Sequence, residues 1–120
     1  MEVACGIIRN KKNKILMGLR SSSKEDGGYW EFPGGKKNAC ETIKDCLHRE
    51  IFEELNINIS IIEEIYSYNN GKYFLRFFTG NIKDEKNLQM NVHEELRFVD
   101  VEEIYNLNIF EEDKKLLGLL

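Results

Sequence analysis

The chain has 120 residues, a formal net charge of −4, 42% hydrophobic and 32% charged residues and a single proline. That is enough for one domain with a real hydrophobic core and too little for two, and the composition excludes disordered and fibrous classes. No apolar run approaches the ~20 residues needed to span a bilayer, and apart from the cluster Arg9 to Lys14 the basic residues are too scattered for a duplex nucleic-acid surface.

Taken in order, "VACGIIR" (Val3 to Arg9) and "KILMGLR" (Lys14 to Arg20) are apolar runs around an Asn/Lys turn, which predicts a β-hairpin. A polar, glycine-ended loop, Ser21 to Gly28, leads to a short aromatic strand, "YWEF". Regular structure is expected to stop at Pro33-Gly34-Gly35, because proline and paired glycines break it. Thr42 followed by Asp45 marks a helix N-cap. Ile43, Cys46, Leu47, Ile51 and Leu55 then recur at three- and four-residue intervals and give that helix one apolar face. Asn56 ends it, since asparagine tolerates the left-handed conformation found past many helix ends. "INISIIEEIYSY" and "KYFLRFFTGNI" flank Asn69-Asn70-Gly71 and predict two strands joined by a tight turn. "LRFVD" (Leu96 to Asp100) reads as one more strand, "VEEIYNL" as a short helix, and "FEEDKKLLGLL" as a closing amphipathic helix. The order β-β-β-α-β-β-β-α predicts a single α/β domain over 1–120, with a mixed sheet and helices on both faces.

The opening "MEVACGIIRNKKNK" lacks the basic-then-apolar pattern of a signal peptide, so a cytoplasmic location is expected. Three cysteines, Cys5, Cys40 and Cys46, show no C-x-x-C spacing, which argues against a disulfide framework and against zinc. They read as buried small apolar residues. The two histidines, His48 and His93, read as surface or half-buried and are not paired at ligand spacing.

On a helix, Glu50, Glu53 and Glu54 fall within about 100° of one another. Like charges three and four residues apart cost an isolated helix a few tenths of a kcal/mol per pair, so the arrangement asks for a cation, either Arg49 or a metal ion. A solvated acidic face is the plain alternative. Clustered carboxylates with no histidine or cysteine partner suit Mg²⁺ or Mn²⁺ and, with them, hydrolysis of a phosphate ester or anhydride. The glycine pair upstream lets backbone approach whatever the acids bind.

From Gly35 to Ile57 the chain resembles the Nudix box, G-x(5)-E-x(7)-R-E-U-x-E-E-x-G-U with U a bulky aliphatic residue. Gly35, Glu41, Arg49, Glu50, Ile51, Glu53, Glu54 and Ile57 match, and Asn56 stands where the family has glycine. "YWEFPGGK" and "IIRNKKNKILMGLR" extend the likeness to the small MutT-type Nudix hydrolases. The resemblance implies the Nudix fold, an α/β/α sandwich with a mixed central sheet and a loop-helix-loop for the box. It also implies hydrolysis of a nucleoside diphosphate linked to another moiety. Glu50 and Glu54 would be the main metal ligands, Glu53 a further ligand or water-orienting group and the Gly34 carbonyl a backbone ligand. Glu41 and Arg49 would brace them, and Arg20 would contact substrate phosphate, unless it is only a surface arginine at a strand end.

MutT-like proteins usually carry a glutamate, often followed by histidine, on the loop before the last strand, where this chain reads "NVHEELRF": His93 fits that pattern, Val92 takes the glutamate's place, and Glu94 or Glu95 is the candidate replacement if the loop is shifted. Asp113 matches a polar residue that opens the last helix and selects the base, although it could simply favour a helix N-terminus. Trp30, Phe32, Phe74 and Phe78 could stack on a base or belong to the core. Two classes of function stay open. One is a Mg²⁺-dependent pyrophosphohydrolase acting on a small-molecule nucleotide, such as an oxidised or modified nucleoside triphosphate, with ADP-ribose, dinucleoside polyphosphates and capped RNA as alternatives. The other is a Nudix domain that senses a nucleotide without turnover.

Overall fold

A computed structural model describes all of residues 1–120. Strands β1 (Glu2–Arg9) and β2 (Ile15–Leu19) form the expected hairpin, antiparallel with Arg9 opposite Ile15. Its turn is set by Asn10, whose side-chain oxygen accepts from the N–H groups of Lys12 and Lys14 at 3.0 Å, and by Asn13, which takes a left-handed φ of 63°. Asparagine suits both jobs, because its short amide mimics a backbone turn.

The next segment corrects the sequence reading. After β3 (Trp30–Glu31), which pairs with β2, the chain does not stop at the glycines: Gly34–Lys36 forms strand β4 against Val3–Cys5 of β1. Pro33 lacks an N–H, but its carbonyl accepts from Gly6 at 2.8 Å. At Gly34 a β-carbon would collide with the Ala4 carbonyl, so glycine here permits strand contact instead of ending it.

Helix α1 (Ile43–Leu55) begins and ends where expected. The Thr42 hydroxyl accepts from Asp45 N–H at 3.1 Å, and Asn56 adopts the left-handed conformation (φ 57°, ψ 30°). Strands β5 (Ile59–Asn69) and β6 (Phe74–Ile82) are antiparallel. At their turn the Asn70 side chain accepts from the N–H groups of Lys72 and Tyr73 at 2.9 and 2.7 Å. β6 runs parallel to β1, which makes the sheet mixed, and β7 (Glu95–Val99) pairs antiparallel with β2. The sheet order is β3-β2-β1-β6-β5, with β4 on β1 and β7 on β2. Helix α2 (Val101–Ile104) is a single turn. The expected closing helix is one turn of α3 (Glu111–Lys114) followed by a tighter 3₁₀ turn over Lys115–Leu119.

Period-two alternation sorts β1 between two cores. Ala4 and Ile8 face α1, where Leu47, Ile51, Leu55 and Phe78 are buried with them. Cys5 and Ile7 face the opposite layer, with Phe77, Ile104, Leu116 and Leu117. This is the α/β/α sandwich. No helix is long and apolar enough to cross a membrane.

Candidate active site

The apolar face of α1 packs on the sheet, and its acidic face is thereby held beside β4. Arg49 is the organiser. Its Nε and Nη2 grip both oxygens of Glu41 at 3.0 and 2.7 Å, Nη1 reaches Glu50 at 2.8 Å and Glu53 at 3.0 Å, and Nη2 also donates to the Lys36 carbonyl at 3.0 Å. One planar guanidinium thus fixes three carboxylates relative to β4, a task that suits its fork of donors. The hydrogen bonds from Arg49 and from the Asn38 N–H draw the Glu41 carboxyl down to about 2. The "Arg49 or a metal" question has the answer that Arg49 neutralises part of the cluster.

Glu54 is left out of that network. Its Oε1 is shielded from water and has no hydrogen-bond partner. Burial first, then the charges of Glu31 and Glu50, push its carboxyl up to about 8, against which the Gly34 N–H acts weakly. A buried carboxyl without a partner is costly, and a cation would relieve it. Gly35 supports the same reading, because a β-carbon there would overlap the Glu50 carboxylate. No three His, Cys, Asp or Glu side chains converge as a ready-made ligand set, since Arg49 draws Glu50 and Glu53 to itself. Arg49 uses only Oε1 of Glu50, however. The all-oxygen donors of Glu50, Glu54, Glu53 and the Gly34 carbonyl fit a hard divalent cation. Gly35→Ala should lower kcat/KM by about 10²-fold by displacing Glu50, with Tm nearly unchanged, because the atom that must move ends a flexible side chain. Thermal melts beside initial rates check this.

Glu54, Gly34 and Gly35 stand in the wall of a cleft of about 700 Å³ that also holds Arg20, Glu31, Phe32, Lys36, Tyr68, Phe77, Val92 and Asp113. Phe32 lines it as expected and meets Phe77 edge to face at 6.1 Å. Phe78 does not: it lies on the other face of the sheet, under α1, and the pocket aromatic is its neighbour Phe77. Asp113 is buried in the cleft and accepts from the Tyr68 hydroxyl at 2.9 Å. Burial pushes its carboxyl up to about 6, with the Tyr68 bond opposing and Glu31 and Glu112 reinforcing. Asp113 is therefore more than a charge at a helix N-terminus. Arg20 borders the cleft, with Nη1 donating to Glu31 at 2.9 Å and Nη2 and Nε donating to the Glu25 carbonyl at 2.9 and 3.2 Å.

The loop before β7 also differs from expectation. Asn91 donates to the backbone carbonyls of Glu54 and Glu53 at 3.1 Å, which ties the loop to the end of α1 and leaves Val92 at the cleft. Neither candidate replacement turns inward. Glu94 accepts from the Ser22 N–H and hydroxyl at 2.9 and 2.8 Å, and Glu95 pairs with Arg97 at 2.8 Å. A carboxylate that does stand in the cleft, with Glu54 and Asp113, is Glu31. His93, whose side chain is only 1% exposed, meets it at 2.9 Å, against the surface or half-buried position expected for this histidine. Burial alone would raise the Glu31 carboxyl, but hydrogen bonds from His93 and Arg20 outweigh it and hold it below the usual range. Its only sequence signal is a lone acid inside the aromatic "YWEF" strand. Cys5 and Cys46 are buried as expected, whereas Cys40 is exposed.

Comparisons with known proteins give the family. A family model for the NUDIX domain matches residues 1–120. The chain belongs to the NUDIX domain family. Among its NUDIX relatives, it is 38% identical over 60 residues to an 8-oxo-dGTP diphosphatase of Proteus vulgaris, covering 50% of this chain and 54% of that one. It is 37% identical over 68 residues to a CTP pyrophosphohydrolase of Escherichia coli K12, covering 57% and 50%. The chain thus spans about half the length of these curated relatives. The solution structure of the E. coli ORF135 protein superposes with a TM-score of 0.78 at 29% identity, covering 98% of this NUDIX chain and 85% of that one.

Proposed function

We propose that this chain hydrolyses a nucleoside triphosphate to the monophosphate and pyrophosphate with the help of a divalent cation, Mg²⁺ or Mn²⁺. The observation that carries the reading is the buried, unpartnered Oε1 of Glu54, which lines one cleft with Phe32, Phe77 and Asp113 and follows Arg49-braced Glu50 and Glu53 on the same helix. The names of the relatives, an 8-oxo-dGTP diphosphatase and a CTP pyrophosphohydrolase, support a nucleotide substrate.

Glu50 and Glu54 would hold the cation, with Glu53 and the Gly34 carbonyl at its side. When bound, the cation neutralises charge on the phosphate oxygens and lowers the pKa of an attacking water. The protein's own groups do the rest. Arg49 keeps Glu50 and Glu53 in register, and Glu53, exposed at the outer edge, would orient the water. Water adds to the β-phosphorus, and the bond from that phosphorus to the oxygen bridging it to the α-phosphorus breaks. The bridging oxygen leaves with the monophosphate. Phe32 and Phe77 offer apolar surface to a base, and Asp113 offers a polar atom at its edge.

The test is a panel of nucleoside triphosphates, including 8-oxo-dGTP and methylated dCTP, with ADP-ribose and diadenosine tetraphosphate, assayed with Mg²⁺ for phosphate and pyrophosphate release. Pyrophosphate from a triphosphate is expected. Tight nucleotide binding with no turnover of any compound would instead support a sensor.

Asp113 gives a prediction with a defined pH window. Its folded value, about 6, lies above its ordinary 3.8, so the fold favours the protonated form. That contribution is full below about pH 4 and is lost as pH rises through about 6. Asp113→Asn imitates the protonated state and keeps an oxygen for Tyr68. Its Tm should match wild type at pH 4 and exceed it by on the order of 5 °C at pH 7.5. Parallel melts across that range check it, and the same variant should change the ranking of bases in the panel.

A further inference from the structure

A triphosphate brings about four negative charges into a cleft whose reacting end is itself acidic, so something in the wall must oppose them. The two arginines near this wall are already engaged: Arg49 by Glu41, Glu50 and Glu53, and Arg20 by Glu31 and the Glu25 carbonyl. At the rim, Glu111 and Glu112 are paired with Lys114 and Lys115. The cleft cations with no ion-pair partner are Lys24, Lys36 and Lys72.

Two of these converge. Lys36 shares the face of β4 that Gly34 turns to the cleft, because side chains alternate along a strand. Lys72 comes from the β5–β6 turn, which the two Asn70 hydrogen bonds hold in shape. Their ammonium groups stand over the same Tyr73 ring, 5.1 and 5.2 Å from its centroid. Two like charges gathered on one aromatic ring, neither of them ion-paired with a carboxylate, make a site that an anion completes.

We propose that Lys36, Lys72 and Tyr73 form a phosphate-binding arm that holds the terminal phosphates of the substrate, the part that leaves as pyrophosphate. This deepens the pyrophosphohydrolase reading and rests on it. It also moves the phosphate contact from Arg20 to Lys36 and to the β5–β6 turn.

The arm is tested with inorganic tripolyphosphate, titrated calorimetrically without metal at low ionic strength into wild type, Lys72→Gln, Lys72→Arg and Lys36→Gln. Lys72 is exposed in a turn, so its replacement leaves the fold intact. Each glutamine variant should bind tripolyphosphate about tenfold more weakly, and Lys72→Arg should recover most of that loss. With the best triphosphate from the panel, Lys72→Gln should raise KM about tenfold with kcat nearly unchanged, the pattern of lost uniform binding. Unaltered tripolyphosphate binding in both glutamine variants would overturn the arm even if wild type turns over nucleotides. Lysine-dependent tripolyphosphate binding in a protein that hydrolyses no nucleotide would uphold the arm and remove the pyrophosphohydrolase reading.

Discussion

Glu54→Gln should lower kcat by about a thousandfold, since a lost metal-ligand charge is worth several kcal/mol at the transition state. The same change should not weaken the fold. Glu54 Oε1 is buried without a partner, and burial holds the carboxyl up at about 8. An amide of the same shape carries no charge to desolvate. The variant should therefore melt at or above the wild-type temperature while losing activity. Initial rates with saturating Mg²⁺, beside a thermal melt, separate these effects. Wild-type activity in Glu54→Gln would remove Glu54 from the reaction, and a collapsed melt would show that its carboxylate is structural.

Arg49→Lys should have the next largest effect, and on a different quantity. Lysine keeps the charge but offers a single ammonium where Arg49 serves both oxygens of Glu41, one oxygen of Glu50, both of Glu53, and the Lys36 carbonyl. The carboxylates would remain but lose their fixed positions. Half-saturating Mg²⁺ should rise about 10- to 100-fold, the usual scale for groups that orient metal ligands. Stability should fall by only about 1–2 kcal/mol, because the replaced bonds are partly exposed. A purely structural role would lower Tm without moving the Mg²⁺ dependence, so titration of the rate with Mg²⁺ decides between the two.

The parts of this protein that were legible in its sequence are those governed by local rules. Thr42 and Asn56 bracket α1 because capping and left-handed tolerance depend on a few adjacent residues. Spacing alone put Glu50, Glu53 and Glu54 on one face, and the box marked Glu41 and Arg49, which do bond each other, as bracing residues. Long-range choices were not legible. Phe77 and Phe78 are adjacent aromatics, and alternation says that they face opposite layers without saying which one meets the cleft. The Gly34-Gly35 pair obeys the turn rule locally, yet β1 recruits it into a strand. Glu31 and His93 are 62 residues apart, and nothing near either one announces their contact. The loop carboxylate sought at Glu94 or Glu95 fails for a similar reason: Ser22, 72 residues before Glu94, captures it.

Taken together, these placements describe a cleft with an acidic wall, an aromatic and aspartate-bearing interior, and a lysine-bearing mouth. The Nudix box supports the chemistry, while Asp113, Tyr68, Phe32 and Phe77 line the same cleft outside the box.

The central claim is that the carboxylates of α1 work through a divalent cation on a nucleotide anhydride. Its most direct test is to incubate wild-type protein with the panel triphosphates, with Mg²⁺ and then with excess chelator, and to identify the products. The claim predicts monophosphate and pyrophosphate with Mg²⁺ and none once the cation is removed. Turnover that survives the chelator, or nucleotide bound tightly and recovered intact, would contradict it.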